Sequence, residues 1–250
     1  NLPLFYYRQH EKSLSSNENR ILFTRSKIFS KYSKGVKKKF DVSIVIPIRG
    51  ELIDRNSLAF KKIKNKKLIN YTIEASLTSK NIKKIILTSP DINILNYVKK
   101  KYSNEKKILY LEREAELGEI NVSLDNTFKE ALNLLSKKRI KTDALMNLII
   151  EYPFRNSTHI DSAIDVMKIF NVDQVISVTR EKEQYYQHNG SSLSPIQQSE
   201  SLQLEREELF RQTGTVNLLT KKSIENKIRN KKIGHIIVDK MSSLKVDSEL

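Results

Sequence analysis

A layered α/β fold, with a mainly parallel sheet and helices on both faces, is what this sequence predicts, and three observations carry the prediction. From residue 41 to about residue 180, short apolar runs alternate with stretches of ten or more residues at helical spacing. The runs are apolar throughout rather than alternating, as in strands covered on both faces. The first of them, Val42-Ser43-Ile44-Val45-Ile46, stops at Pro47-Ile48-Arg49-Gly50. A cation and a glycine therefore leave the carboxyl end of a strand, the end at which open α/β sheets bind ligands. On these residues alone, an ordinary core strand running into a surface loop remains the alternative.

Taken in order, residues 1–40 stand outside this rhythm. Leu4 to His10 is aromatic, Ser13 to Asn19 polar and loop-like, Ile21-Leu22-Phe23 a candidate short strand, and Ser33 to Lys39 a basic linker. The segment reads as an arm on the main domain or a remnant of an upstream one. After the first strand, Leu68 to Leu77 has helical spacing and Lys84 to Thr88 is a second strand. Asp91 to Tyr102 is a helix with Ile94, Leu95 and Val98 inward, and Ile108 to Leu111 a strand. Ser123 to Leu135 places Leu124, Phe128, Ala131, Leu132 and Leu135 on one stripe. Ala144 to Ile150 is a strand closed by Pro153, Thr158 to Phe170 a helix capped by Ser157 or Thr158, and Gln174 to Thr179 a strand. The rhythm then breaks: residues 181–204 are rich in Gln, Ser, Tyr and Asn and read as a lid or dimer arm. Gly214 to Leu219 and Ile236 to Val238 are strands flanking a Lys-rich helix at Lys221 to Asn230.

Composition removes several classes of function. The 250 residues contain no Cys, so there is no disulfide framework, thiol nucleophile or zinc-thiolate site. No apolar run reaches the roughly 20 residues needed to cross a bilayer, and a cytoplasmic, soluble protein is the expectation. The formal charge of +16 is spread over many Lys runs that travel with Ile and Asn. That pattern reads as a general bias rather than one nucleic-acid-binding face, although it would draw in a small anionic substrate. His10, His159, His188 and His235 lack metal-ligand spacing and read as surface or capping residues.

Seven segments in order resemble one family, the cytidylyltransferases that activate acidic sugars as CMP-sugars. Ile46-Pro47-Ile48-Arg49-Gly50 is similar to its I-P-A-R-G nucleotide loop, and Leu68 to Leu77 to its P-L-I-x-Y-T-I-E-A-A-L helix. Leu87-Thr88-Ser89-Pro90-Asp91 resembles its S-T-D-D turn and Leu111 to Leu117 its R-P-x-E-L segment. Pro153-Phe154-Arg155, Val175 to Thr179 and Phe210 to Val216 are similar to P-L-R, V-x-S-V-T and Y-R-x-N-G-A-I.

The resemblance covers about residues 42–250 and implies a Rossmann-like nucleotide-diphospho-sugar transferase fold. It further implies a homodimer with residues 181–204 reaching over the partner, and attack of an acidic sugar on CTP with Mg²⁺. Arg49 and Arg55 would be catalytic, and Pro47, Ile48, Arg49, Gly50, Thr88, Ser89 and Arg113 would hold the nucleotide. Glu151, Arg155, Arg211 and Gln212 would hold the sugar, and Asp247 the metal. The loop departs from the family at Glu51, which replaces a second glycine, and at Ile53, which replaces a lysine. A short shift brings Arg55-Asn56 into the place of a Lys-Asn pair. Lys245-Val246-Asp247 keeps one of two terminal carboxylates. A catalytically degenerate homologue, acting as a structural or regulatory subunit, is the alternative function.

Overall fold

The computed structural model describes residues 18–32, 40–51, 53–115, 123–181, 183–196, 209–226 and 231–247. Strand β1 (Val42–Pro47) lies inside a seven-stranded sheet, and a short antiparallel pair, β2 (Lys62–Ile63) and β3 (Lys66–Lys67), stands apart from it. β1 pairs in parallel with β4 (Ile82–Ser89) and β6 (Ala144–Asn147), and β4 in parallel with β5 (Ile108–Glu112). β7 (Gln174–Glu181) and β11 (Ile233–Ile237) are parallel to each other, whereas β10 (Leu209–Thr220) runs antiparallel between β6 and β7. The chain builds outward from β1 through β4 to β5, then returns to β6 on the other side. A crevice opens where the direction reverses, at the carboxyl ends of β1 and β6.

The unbroken apolar runs are explained by two cores. Val42, Ile44 and Ile46 pack on one face with α2 (Leu68–Thr78), α3 (Ile92–Lys101) and α5 (Ser157–Phe170). Val45, Ile86 and Leu145 pack on the other with α4 (Asp125–Lys137) and α6 (Lys221–Asn226). Helices therefore cover both faces, as expected. Each fully buried Ile or Leu contributes about 1.5–3 kcal/mol from area removed from water.

Several expectations about individual elements change. The region around Ile21-Leu22-Phe23 is not a strand but part of helix α1 (Glu18–Tyr32): Leu22 reaches the main core and Arg25 lies over the Phe170 ring. Ile21, Leu22, Arg25 and Phe29 share one helical face, a period that a three-residue window conceals. The cap of α5 is Asn156, not Ser157 or Thr158; its side chain accepts from the backbone of Thr158 and His159. The expected arm begins with β7 and β10 running past the sheet and includes a hairpin of β8 (Tyr186–His188) and β9 (Leu193–Pro195). Residues 1–17, 33–39 and 197–208, with the expectations that fall on them, lie outside the described residues.

Candidate active site

The loop leaving β1 turns at Gly50 because only glycine fits there. Its φ is +76°, and a Cβ would stand 2.4 Å from Asp91 Cβ. Asp91 fixes this approach from below: its Oδ1 accepts from Asn93 N–H at the start of α3, and its Oδ2 accepts from Glu51 N–H at 3.1 Å. The N–H groups of Ile53 and Asp54 return to Gly50 O at 3.3 and 3.0 Å. These amides are engaged within the loop, leaving side chains to face the crevice.

The opposite wall comes from the loop after β6. Arg155, 4% exposed, donates to Thr72 Oγ1 at 3.1 Å and to Ile149 O, tying that loop to α2. Burial pushes its guanidinium down to about 9, with Glu151 and Tyr152 opposing. Gly214 of β10 lies beneath the same loop, where a Cβ would meet Tyr152 Cε2 at 2.4 Å. A strap of residues 239–247 closes the third side: Val246 N–H donates to Glu151 O at 2.8 Å. Lys245 and Asp247, two residues apart in extended chain, both face the crevice and pair at 3.1 Å.

Between these walls is a cleft of about 330 Å³. It brings together Pro47, Ile48, Arg49, Arg113, Glu151 and Asp247 of the residues singled out in the sequence. Arg113 is 4% exposed and donates to Thr127 Oγ1 at 3.2 Å and to Ile48 O at 3.4 Å. Its Nε has no hydrogen-bond partner among the described residues. Burial lowers its proton affinity, Glu130 opposes that, and Arg49 adds to it. The two arginines are therefore close enough to repel.

The remaining candidates stand elsewhere. Thr88 and Ser89 are fully buried at the end of β4, where Ser89 Oγ accepts from Asp91 N–H at 3.0 Å. Gly50 shapes the turn, and Arg55 is exposed outside the cleft lining. Arg155 is a strut of the wall. Arg211 and Gln212 are exposed on the arm, with Arg211 Nε 2.7 Å from Glu181 Oε1. Asp54, Asn56, Ser57 and Lys245 also line the cleft; Asn56 and Lys245 stood among the departures from the family pattern, whereas Asp54 and Ser57 were not singled out. An Asx turn, Asn56 N–H to Asp54 Oδ1 at 2.9 Å, was the available signal for Asp54.

The cleft's charged lining is balanced: Arg49, Arg113 and Lys245 face Asp54, Glu151 and Asp247. Among the described residues, no three His, Cys, Asp or Glu side chains converge into a ready-made metal cage. Magnesium is ordinarily held by one or two carboxylates plus substrate phosphates. Glu151 and Asp247 fit that donor set, as ligands for an ion that arrives with a nucleotide.

No protein-family model matches the sequence, and no curated protein does. Solved structures do match in fold. The 4-diphosphocytidyl-2C-methyl-D-erythritol synthase of Anaerococcus prevotii superposes with a TM-score of 0.61 at 14% identity, over 84% of this chain and 93% of that one. A CMP:2-keto-3-deoxy-manno-octonic acid synthetase complexed with CTP gives 0.57 at 12% identity, over 79% and 90%. The 2-C-methyl-D-erythritol 4-phosphate cytidylyltransferase of Francisella tularensis gives 0.53 at 17%, over 83% and 94%. The fold is the Rossmann-like α/β fold of the cytidylyltransferases. CMP-sugar synthetases, to which the sequence motifs pointed, share it with enzymes named for a methylerythritol substrate.

Proposed function

We propose that the chain is a CTP-dependent nucleotidyltransferase, joining a cytidylyl group to an oxygen of a sugar or sugar-alcohol substrate and releasing pyrophosphate. Arg113 carries this reading: a buried guanidinium beside a second cation, with an unpaired N–H, lining a cleft at the switch point of the sheet. Glu130 offsets part of the cost of this arrangement, and a nucleotide phosphate in the cleft would offset more of it. The acceptor oxygen attacks the α-phosphorus; a P–O bond forms to it while the bond to the bridging oxygen breaks, pyrophosphate leaves with the electron pair, and a hydroxyl acceptor gives up its proton to solvent. Arg49, Arg113 and Lys245 supply position and positive charge, the chief requirements of such a transfer. Mg²⁺ held by Glu151 and Asp247 would offset phosphate charge.

The acceptor favoured by the geometry differs from the acidic sugar implied by the motifs. Of the two arginines expected at the sugar, Arg155 is a buried strut and Arg211 is paired with Glu181 on the arm. The cleft lining instead includes Glu151 and Asp247. Carboxylates accept hydrogen bonds from hydroxyls and repel another carboxylate. An acceptor that presents hydroxyls rather than a carboxylate to these two side chains, such as the polyol part of the compounds named for the Anaerococcus and Francisella proteins, suits this lining better. The chain acts as a homodimer in this reading, through an arm whose Tyr186, Leu193, Ile196 and Phe210 are 51%, 64%, 56% and 41% exposed. No described helix is long and apolar enough to cross a membrane.

Calorimetric titration of CTP, with and without Mg²⁺, tests the proposal, followed by product assays with polyol phosphates and acidic sugars. Binding is expected to prefer CTP over ATP, to strengthen with Mg²⁺, and to weaken about 10- to 100-fold in Arg49→Ala, the loss of a charge-assisted contact. No binding at millimolar CTP would overturn it in favour of a non-catalytic homologue. Glu51 and the internally bonded loop amides favour that second reading.

A further inference from the structure

The strap that brings Lys245 and Asp247 to the cleft is anchored by side chains that have no part in the chemistry above. Asp239 Oδ1 accepts from Ser242 N–H at 2.9 Å, and Ser242 Oγ lies 2.7 Å from Asp239 Oδ2 and 3.2 Å from Phe154 O. Thr215 Oγ1 of β10 donates to Ser242 O at 2.9 Å. Ser242 is 4% exposed. It therefore joins the strap to the β6 exit loop and the antiparallel strand at one buried point. His159 stands against this point from α5. Its Nδ1 accepts from Asn156 N–H at 3.3 Å, completing a capping box, and its Nε2 is 3.8 Å from Asp239 Oδ2.

We infer that His159, Asp239 and Ser242 form a latch that positions Lys245 and Asp247 over the cleft. They act as positioning residues for the transfer, and their role in it rests on the nucleotidyltransferase reading. The latch needs a neutral imidazole, because a protonated Nδ1 cannot accept from Asn156 N–H. The same proton would draw the Asp239 carboxylate toward the ring and away from Ser242. The charged groups facing the imidazole are Asp239 from the strap and Arg155 from the β6 exit loop. Burial holds His159 below the ordinary histidine value; Asp239 opposes this and Arg155 adds to it. The folded protein thus binds this proton more weakly than the unfolded chain does. The latch is closed above about pH 6.5 and opens as pH falls through the folded value.

Amide hydrogen exchange on the whole protein, with no ligand present, tests the latch directly. After correction for intrinsic rates, the Ser242 and Val246 amides should lose up to about 10-fold of their protection between about pH 7.5 and pH 5.5, the most that one histidine can contribute, while the β1 amides keep theirs. His159→Gln retains a capping-box side chain that does not titrate, and should abolish that pH dependence. Ser242→Ala should expose Val246 at both pH values, and Ser242→Thr should restore it. Protection of Val246 that is indifferent to pH, or that changes equally in His159→Gln, overturns the inference. With CTP added, Ser242→Ala should weaken affinity in step with lost protection; unchanged affinity overturns the positioning role. A latch that titrates as described in a protein that binds no CTP would overturn only the proposed reaction.

Discussion

The two sides of the cleft are built from different materials. On one side β1, β4 and β5 form an all-parallel block, and the buried side chains of β1 are, apart from Ser43, aliphatic. On the other, β10 runs antiparallel between β6 and β7, and buried hydroxyls set its path. Thr213 Oγ1 donates to Ser177 Oγ at 2.8 Å and Val216 N–H donates to the same oxygen at 2.9 Å. This is where the β10–β7 register shifts, between Thr213 and Asn217. The first side is specified by area removed from water, which is non-directional and tolerant. The second is specified by directional bonds, each of which matters because its partners are buried.

Three substitutions sharpen this contrast. Ile44→Ala, at a fully buried position of β1, should cost about 2–5 kcal/mol in urea denaturation with no change in the m-value. Gly50→Ala imposes a left-handed turn on a residue with Cβ and drives that atom into Asp91, so a loss of about 1–3 kcal/mol is expected, with weakened CTP binding. Ser177→Ala removes one hydroxyl, leaves the buried Val216 N–H short of an acceptor, and should cost about 1–2 kcal/mol. In Ser177→Ala the arm amides should gain exchange before those of β1. A uniform gain across the sheet would erase the distinction between the two sides.

The parallel block was legible in the sequence because period and hydrophobicity act over a few neighbouring residues. Val42 to Ile46 and Lys84 to Thr88 announce themselves as buried strands without reference to anything distant. The turn at Gly50 was legible for a related reason, a glycine at the end of such a strand. The other wall was not, since its determinants are pairs far apart in the chain, such as Thr215 with Ser242 and Val246 with Glu151. Arg155 shows the limit best. An arginine after a central strand fits a substrate contact equally well in sequence, and only the buried Thr72 hydroxyl and Ile149 carbonyl make it a strut. The helix at Ile21 to Phe29 was missed for want of a window as long as its period.

The strap also makes the cleft a report on long-range folding. Arg49 leaves the first strand of the sheet, whereas Lys245 and Asp247 come from a segment that follows the last described strand. A domain generally folds as a unit, so these charges come together only once distant parts of the chain have docked. Local release of residues 239–247 would leave Arg49 and Arg113 in place and remove the lysine and the carboxylate of the third wall. The charge of the cleft can thus change while the sheet beneath it stays folded.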